Sequence, residues 1–403
     1  MAELGEILFL VHRIPFPPDR GDKIRSHHIF HALRDIGPVH VGCFADDARD
    51  MSFADEMAML TASQCVVRRD RSRAVAGVNG LLRRQPMLVA MYESARMHQW
   101  VREVLGTRPI RAIVAYSVQM AHFVPHDLPE GVRFIMDFVD FDSAKYAAYG
   151  AVQGGVMGWV NRREGRVLMR FERETALRAD VSAFVSAAEA AMFVRTAVVE
   201  GADVRALDNG VDLKYFNALP DISLIDNQQK PLLVFTGQMD YRPNIEAVKS
   251  FACAVFPSIR ATHPNARFAI VGRNPTPQVS ALAELPGVVV TGGVPDVRGW
   301  LAAADVVVAP LRIARGIQNK VLEAMAMGRP VVASPQAAEG IDAQDGAHFV
   351  IANTPAEEAQ AIVALLAEPE RATALGKAAR ARMEARYEWA ATLTPLADMV
   401  TGG

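Results

Sequence analysis

The sequence has few cysteines, no excess of basic charge and no long apolar run. Its 403 residues include only Cys43, Cys65 and Cys253, widely separated and in apolar settings, so neither a zinc site nor a disulfide framework is predicted. The formal net charge of −2 argues against a nucleic-acid partner. No apolar run approaches the roughly 20 residues that span a bilayer. The apolar run in "ILFLVHRIPFPP" is too short for a signal peptide. We therefore expect a cytoplasmic protein with reduced core thiols.

The chain is long enough for two domains, and a series of alternating strand-like and helix-like segments occurs twice along it. "EILFLVH", "VHVGCFA", "IRAIVAYS" and "RFIMDFVD" are predicted strands, and "KIRSHHIFHALRDIG" is a predicted helix. A second series of alternating strands and helices begins at "LLVFTG", after a polar stretch without periodicity. Alternating strands and helices predict α/β domains with doubly wound parallel sheets. The predicted boundaries are 1–216 for the first domain, 217–231 for a linker, 232–380 for the second domain, and 381–403 for a terminal helix that packs back on the first domain.

Such domains bind ligands at the carboxyl ends of their strands, and one strand-end segment is rich in polar residues. "RIARGIQNKVLEAMAMGRPVVAS" contains a predicted helix that starts near Asn319, and a helix start favours an anion such as phosphate. Gly316 allows close backbone approach, while Arg312 and Lys320 add positive charge. Glu323 lies on the same helical face as Lys320 and could accept hydrogen bonds from a ribose diol. The alternative is an ordinary helix capped by Asn319, with Lys320 and Glu323 as a solvated pair.

Three other loops follow strands of the second domain and carry glycine or polar residues. "FTGQMDYRPN" has Gly237 in a turn, and "IVGRNP" has Gly272 and Arg273. "TGGVPDVRGWLAAADVVVAP" places Val294 and Val297 after another strand, where backbone groups could meet the edge of a base. A glycine after a strand is usually only a turn, but four such loops together indicate a ligand site.

The second domain resembles the donor-binding domain of GT-B-fold retaining glycosyltransferases of family four. The family pattern "GxxPxxxxxLAxADVxVxPS" followed by "LEAMAxGxPVVAS" is echoed by "TGGVPDVRGWLAAADVVVAP" and "VLEAMAMGRPVVAS". "FTGQMDYRPN", "PLRIARGIQNKVLEAMAMGRPVV" and "DFVDFDSAKY" are similar to sugar transferases found beside PEP-CTERM/exosortase exopolysaccharide systems. The resemblance covers nearly the whole chain. It implies two Rossmann-like domains facing across a cleft, and transfer of a sugar, with retention, from a nucleotide-diphosphate sugar to a saccharide or polyprenyl-linked acceptor, without a metal or other cofactor.

The resemblance also implies roles for residues of the donor site. Glu323 matches the second glutamate of the family's paired-glutamate motif, which binds the ribose hydroxyls. The first glutamate normally meets the donor sugar, but Arg315 stands in its place, so sugar recognition must differ. Lys320, Arg242 and Arg312 are the expected substitutes for the basic pair that grips the diphosphate, with Lys320 and Arg242 taken as catalytic. The predicted donor-binding residues are Gly237, Asn244, Gly272, Arg273, Val294, Val297, Arg312, Arg315, Gly316, Ile317, Gln318, Asn319, Lys320 and Glu323.

The first domain is expected to bind the acceptor. "RIPFPPDRGDKIRSHH" places Gly21 and Asp22 in the loop that in GT-B enzymes borders the cleft, with Lys23 at the start of the next helix. Tyr116, at the end of a predicted strand, is a further expected acceptor-site residue. Lys23 could meet a lipid phosphate or belong to a solvated helix turn. In "MDFVDFDSAKY", paired carboxylates could act as a general base or coordinate a cation, or Asp142 or Ser143 could cap the next helix. Asp140 is the predicted catalytic carboxylate and Asp142 an acceptor-site residue.

The segment "NRREGRVLMRFERETALR" predicts an amphipathic helix with an arginine-rich face. This face is either solvated or forms a patch for anionic lipid at the cytoplasmic side of the inner membrane. The arginines of this face are Arg162, Arg163, Arg166, Arg170 and Arg173.

Two rival functions stay open: a sugar-nucleotide epimerase with the same two-domain fold, and a non-catalytic partner subunit that binds a sugar nucleotide.

Overall fold

The computed structural model describes residues 5–18, 20–69, 85–217, 230–314 and 316–402. The chain divides into two compact units, the first formed by Met1–Asp208 with Leu393–Gly403 and the second by Asn209–Thr392. Most of the linker predicted at 217–231 lies outside the described residues, and so does the predicted site residue Arg315.

The first unit is built on a parallel sheet of seven described strands in the order β3-β2-β1-β4-β5-β6-β7. Its inner strands are almost continuous runs of buried apolar residues, as expected when helices cover both faces of a parallel sheet. The strands are β1 Glu6–Val11, β2 Val39–Ala45, β3 Ser63–Arg68, β4 Ile110–Tyr116, β5 Arg133–Val139, β6 Val181–Phe184 and β7 Val204–Ala206.

Helices connect these strands, and a 3-10 helix, Val118–Phe123, follows β4. Gly21 is the first residue of the first helix. The helices are α1 Gly21–Ile36, α2 Ala48–Met51, α3 Ala54–Ala58, α4 Met87–Ala90, α5 Ala95–Thr107, α6 Asp142–Val152, α7 Gly155–Arg178 and α8 Ala187–Ala197. Of these, α6 and the long α7 pack closely against each other.

The second unit contains a parallel sheet of six described strands in the order β10-β9-β8-β11-β12-β13. The strands are β8 Leu232–Thr236, β9 Arg267–Val271, β10 Val288–Gly292, β11 Val306–Ala309, β12 Val331–Ala333 and β13 Val350–Ile351. The helices are α9 Arg242–Ser250, α10 Phe256–Thr262, α11 Pro277–Ser280, α12 Arg298–Ala303, α13 Asn319–Ala326, α14 Pro335–Ala338, α15 Pro355–Ala367, α16 Pro369–Arg386 and α17 Trp389–Thr392. A π-helical segment, Phe251–Val255, joins α9 to α10, and a 3-10 helix, Ala281–Glu284, follows α11.

The last helix, α18 Thr394–Thr401, belongs to the first unit. It packs against α1, β4 and β5. Arg111 donates to the carbonyl of Thr401 at 2.7 Å, and Arg133 donates to the carbonyl of Met399 at 3.1 Å. Two arginines of neighbouring strands thus bind backbone oxygens of the last turns, where the helix carries its partial negative charge.

Two of the three cysteines lie where the sequence suggested. Cys43 and Cys65 are buried, but Cys253 is exposed on the π-helical segment. The expectation of three core thiols is therefore wrong for Cys253. Among the described helices, none is both long and apolar enough to cross a membrane.

Two glycines of the second unit allow the loops after β8 and β9 to touch. Gly237 and Gly272 adopt φ values of 156° and 158°, a region that favours glycine. A β-carbon at position 272 would lie 1.6 Å from the carbonyl oxygen of Gly237. The Gly237 N–H donates to the Val271 carbonyl at 3.0 Å. No side chain fits at position 272 without moving this strand-end loop.

Candidate functional site

Lys320 occupies the centre of the candidate site in the second unit. Its Nζ donates to Asn244 Oδ1 at 2.5 Å and lies 4.6 Å from the centroid of the Phe235 ring. Asn244 Nδ2 in turn donates to the Gln238 carbonyl at 2.8 Å. A β-carbon at Gly237 would lie 2.7 Å from Asn244 Nδ2 and 3.4 Å from Lys320 Nζ. The end of β8, the first turn of α9 and the first turn of α13 thus meet at one point.

The charge of Lys320 is not neutralised by the acids of the described chain. No described carboxylate lies within ion-pair distance of Lys320 Nζ, so Asn244 is its hydrogen-bond partner there. Burial lowers the pKa of Lys320 to about 8, although the charge of Glu323 opposes this shift. Burial likewise raises the pKa of Glu323 to about 7, against the effect of Lys320. Because an ammonium group has three donors, two remain for an anionic ligand.

The other two predicted diphosphate-binding cations are held in ion pairs. Arg242 begins α9 and donates to Glu246 at 2.7 Å on the exposed side of that helix. Arg312 donates to the Asn353 carbonyl and, at 2.6 Å, to Glu358, whose carboxyl is buried. Burial raises the pKa of Glu358 to about 7 even though Arg312 opposes it. A diphosphate role for either arginine stays a prediction, and Lys320 is the better-placed cation.

The start of α13 is not capped by Asn319, contrary to the alternative that the sequence left open. The helix begins at Asn319, and Gln318 is the N-cap residue, but its side chain makes no capping hydrogen bond. Gln318 Nε2 donates instead to the carbonyl of Gly316, which has φ 64°. Asn319 Oδ1 accepts from Asn209 at 3.3 Å, and Ile317 is buried. The idea that Asn319 caps the helix is therefore wrong, since its side chain bonds elsewhere.

The loops after β9 and β10 supply backbone turns and apolar contacts. Arg273 is half-buried, its carbonyl accepts from Met239 N–H at 2.8 Å, and its side chain lies against Gly293. Val294 and Val297 are partly buried and pack on the core of the unit. Their role at a base edge, like the donor-binding roles of Gly272 and Arg273, stays a prediction.

In the first unit, Asp22 lies within a basic group at the end of β1. It pairs with Arg13, with His12 at 3.2 Å and with Arg20 at 3.3 Å. Burial alone would raise the pKa of Asp22, but the hydrogen bond from His12 and the charges of both arginines hold it well below its usual range. Tyr116 donates to the Asp22 carbonyl at 3.0 Å and stacks on His12 with centroids 5.7 Å apart. The structure therefore places Gly21 and Asp22 in the first turn of α1 and not in the predicted loop, and it brings Asp22 into contact with Tyr116 at the end of β4.

Sequence reasoning missed His12 and Arg13. Both directly follow the buried residues of β1, which is the position where ligand-contacting residues of parallel sheets lie. A polar pair immediately after the first strand was the pattern that could have identified them.

Lys23 is neither free for a phosphate nor part of a solvated turn. Its side chain is 2% exposed, and its Nζ lies 2.5 Å from Asp50 Oδ1 and donates to the Phe16 carbonyl at 3.1 Å. Arg25, 1% exposed, binds Asp137 at 2.9 Å, and Asp137 is 2% exposed. These two buried ion pairs anchor the first turns of α1. The solvated alternative is wrong for Lys23 because its side chain and its charge partner Asp50 are both buried.

Asp140 and Asp142 lie on either side of the turn from β5 into α6. Burial raises the pKa of Asp140 to about 6, against the effect of Lys145. Asp142 is the first residue of α6, and its carboxylate lies 3.7 Å from Lys145 Nζ. An acid with a raised pKa can exchange a proton near neutral pH, which suits the predicted role of Asp140 as a base.

The capping role considered for Asp142 and Ser143 is wrong. Glu189 accepts from the N–H of Phe141 at 2.9 Å, and Glu172 accepts from the N–H of Ser143 at 3.1 Å. Glutamates of α8 and α7 therefore bind the first turn of α6. Burial raises the pKa of Glu172 to about 8 despite its hydrogen bonds from Ser143. Nothing in the local sequence around 141–143 indicated these distant partners.

Comparison with known proteins gives a family match for the second unit. Residues 230–368 match the model of a family described as Glycosyl transferases group 1. A phosphatidyl-myo-inositol mannosyltransferase of Propionibacterium freudenreichii is 30% identical over 138 residues, 33% of each chain. A GDP-mannose-dependent alpha-(1-6)-phosphatidylinositol monomannoside mannosyltransferase of Mycolicibacterium smegmatis is 28% identical over 253 residues, 57% of this chain and 65% of the relative. The chain thus spans one third to just under two thirds of these curated relatives.

Solved structures resemble the chain over nearly its whole length. HepE of Anabaena, in complex with UDP and glucose, has a TM-score of 0.70 at 16% identity and covers 99% of this chain and 100% of its own. WaaG, a glycosyltransferase involved in lipopolysaccharide biosynthesis, has a TM-score of 0.67 at 18% identity, with 98% and 100% covered. The predicted fold class, GT-B with two parallel-sheet α/β domains, is confirmed.

Proposed function

We propose that this protein is a glycosyltransferase that transfers a sugar from a nucleotide-diphosphate sugar to a saccharide or polyprenyl-linked acceptor, with retention at the anomeric carbon. The observation that carries the proposal is Lys320, a part-buried ammonium group without a carboxylate partner among the described residues, at the start of α13 and beside the Gly237 turn. A diphosphate placed there would receive hydrogen bonds from Lys320 and from first-turn N–H groups of α13.

In this proposal the leaving diphosphate is stabilised by fixed positive groups instead of by a metal ion or another cofactor. Charge that develops on the leaving group is stabilised most by donors that are already oriented in a poorly solvated site. Glu323, one helical turn beyond Lys320, would accept hydrogen bonds from the ribose hydroxyls. On the acceptor side, Asp140 would act as base and the Asp22–Tyr116 pair would line the site.

The matches favour this function and suggest which donors to test. The residues matched by the family model, 230–368, contain β8, α9 and α13, which meet at Lys320. One curated relative is named for GDP-mannose, and one structural relative was solved with UDP and glucose. Both relatives named as mannosyltransferases act, by their names, on inositol lipids. We place the activity in exopolysaccharide or other cell-surface glycan biosynthesis.

The test is a donor screen followed by an assay of transfer. The purified chain is mixed with GDP-, UDP-, dTDP- and ADP-linked sugars, and thermal shifts identify the donor, since a bound ligand stabilises the folded state. Release of nucleoside diphosphate with saccharide and polyprenyl-phosphate-linked acceptors is then measured with EDTA present, and NMR of the product gives the anomeric configuration. We expect acceptor-dependent release that EDTA does not abolish, and a retained configuration.

Each other outcome contradicts a defined part of the proposal. An isomerised sugar nucleotide from the donor alone would show an epimerase, and donor binding without turnover on any acceptor would support a non-catalytic partner. An inverted product would overturn retention, and loss of transfer in EDTA would overturn the metal-free leaving group.

We propose further that the turn between α6 and α7 rests on an anionic membrane surface, where a polyprenyl-linked acceptor would lie. Four large apolar side chains are exposed there, with Val152 74%, Val156 80%, Met157 60% and Trp159 50% accessible. Such side chains suit the boundary between headgroups and acyl chains. Along α7, exposed arginines repeat at a spacing that places them on one side of the helix. These arginines are Arg162, Arg166, Arg170 and Arg173.

Vesicle sedimentation tests this docking surface. The chain should sediment with vesicles containing phosphatidylglycerol and much less with pure phosphatidylcholine, and the double variant Met157→Ser/Trp159→Ser should lose most of this binding. Met59→Ser is the control because Met59 is 81% exposed but lies outside the α6–α7 turn. Equal sedimentation with both lipids, or equal loss in the control, would contradict the proposal.

A further inference from the structure

Glu93, His98 and His122 form a cluster in the first unit that the proposed transfer reaction does not use. Glu93 directly precedes Ser94, whose side chain caps α5, and His98 lies in the early part of that helix. His122 is in the 3-10 helix that follows β4. The cluster therefore joins residues from two separate parts of the sequence, and they come together because α5 and this 3-10 helix pack on each other.

The ligand atoms of the cluster are spaced for one metal ion. His98 Nε2 lies 3.2 Å from Glu93 Oε1, and His122 Nε2 lies 3.8 Å from Glu93 Oε2. One candidate ligand atom from each residue can be chosen so that all three lie within 4.8 Å of one another. Two ligands at about 2.1 Å from a tetrahedral ion stand about 3.4 Å apart. Small side-chain movements would therefore let all three bind one ion.

The orientation of His122 supports this arrangement. Its Nδ1 lies 2.6 Å from the carbonyl oxygen of Gln119, which can only accept, so Nδ1 carries the proton. Nε2 is buried and has no hydrogen-bond partner among the described residues. A histidine that donates one ring nitrogen to a backbone carbonyl and directs the other toward a carboxylate has the orientation seen in metal sites.

The rings are also held in place. Phe123 contacts both histidines, with centroids 4.6 Å from the His98 ring and 3.8 Å from the His122 ring. The side chains of Glu93, His98 and His122 are 25%, 30% and 11% exposed, so an ion can enter from solvent. A fixed second shell and an open path are both needed for a site that binds from solution.

We propose that Glu93, His98 and His122 form a binding site for a divalent transition metal of the zinc class, with at least one open coordination position. Two imidazoles and one carboxylate suit zinc, cobalt, nickel or iron better than magnesium or calcium, which prefer oxygen ligands. Three protein ligands leave room for water or an anionic group in the fourth position. This site lies in the first unit and is additional to the donor site around Lys320.

Metal binding by the full chain tests the proposal without reference to transfer activity. The Cys253→Ser background removes the exposed thiol, which could itself hold zinc. Metal-free protein is titrated with zinc in competition with a chromophoric chelator, and with cobalt to follow its visible absorption. We expect one ion per chain and a visible absorption spectrum typical of cobalt with four or five ligands. Each of the variants His98→Gln, His122→Gln and Glu93→Gln should lower the affinity for the metal about tenfold or more.

His31→Gln is the matched control. His31 contacts His27 with ring centroids 4.6 Å apart on α1, so adventitious binding by imidazoles is expected there as well. The control should bind zinc as the background protein does, and circular dichroism should show that every variant is folded. The proposal is overturned if no stoichiometric binding occurs, if the three cluster variants bind like the background, or if His31→Gln causes the same loss.

Discussion

Replacing Lys320 by methionine should weaken the binding of a nucleoside diphosphate about tenfold to a hundredfold. The ammonium group donates to Asn244 and keeps two donors for a ligand, and a charge-assisted hydrogen bond contributes about 1.5–3 kcal/mol. Methionine keeps the length and apolar stem of the side chain, so its contact with the Phe235 ring is largely preserved. The loss should therefore report on charge and not on packing.

The affinity should also depend on pH through this residue. Burial lowers the pKa of Lys320 to about 8 in the free protein, and a bound diphosphate favours the charged amine. Above pH 8 the amine must gain a proton when the ligand binds, so the wild-type affinity should fall as the pH rises from 7.5 to 9.5. The Lys320→Met variant should not show this fall in affinity.

Isothermal titration with the nucleoside diphosphate measures both effects. Lys249→Met is the control, since Lys249 lies on the exposed side of α9 and donates to Gln278 at 3.0 Å. Nearly equal affinities for wild type and Lys320→Met, with the control unchanged, would show that the diphosphate binds elsewhere. A wild-type profile that stays flat up to pH 9.5 would show that Lys320 is not neutralised in the free protein.

Lys320 and Lys23 show which properties of a site residue the sequence can predict and which it cannot. Both are lysines at the start of a helix that follows a strand, and the sequence suggested a phosphate ligand for each. The structure separates them, because Lys23 finds the carboxylate of Asp50, 27 positions away, while the Lys320 ammonium group donates to an amide oxygen. The partner of a buried cation depends on which distant segments pack together, and periodicity contains no such information.

Features set by local physics could be predicted. The apolar runs of β1 and β8 identify parallel strands, and the glycine after β8 marks the turn beside Lys320. The carboxylates that bind the first turn of α6 could not be predicted, because Glu172 and Glu189 come from two other helices. For the same reason the ion pair between Arg312 and buried Glu358 could not be predicted.

Breaking the buried Arg25–Asp137 pair should strongly destabilise the first unit. Arg25 and Asp137 are 1% and 2% exposed, and the guanidinium lies 2.9 Å from the carboxylate. Arg25→Met keeps much of the side-chain volume but leaves Asp137 buried without a counter-charge, which typically costs about 3–5 kcal/mol. We expect a decrease of this size in the free energy of unfolding of the first unit.

The double variant Arg25→Met/Asp137→Asn separates the loss of charge pairing from a loss of packing. In the wild type, Asp137 Oδ1 accepts from the Val139 N–H at 3.0 Å. The amide introduced by Asp137→Asn still offers an oxygen to that N–H but carries no charge. Chemical denaturation of the full chain, followed by a probe in the first unit, should show the double variant to be more stable than Arg25→Met. A single variant that costs under about 1 kcal/mol, well below the usual cost of an unpaired buried charge, or a double variant no better than the single one, would contradict this account.

The dependence on pH provides an independent check on the same carboxyl group. Burial raises the pKa of Asp137, and Arg25 opposes this rise in the wild type. Without Arg25 the folded state should hold a proton on Asp137 that the unfolded state has already released, so stability declines as the pH rises above the unfolded pKa of about 4. Arg25→Met should therefore regain stability between pH 8 and pH 5 relative to the double variant, which has no carboxyl group at this position.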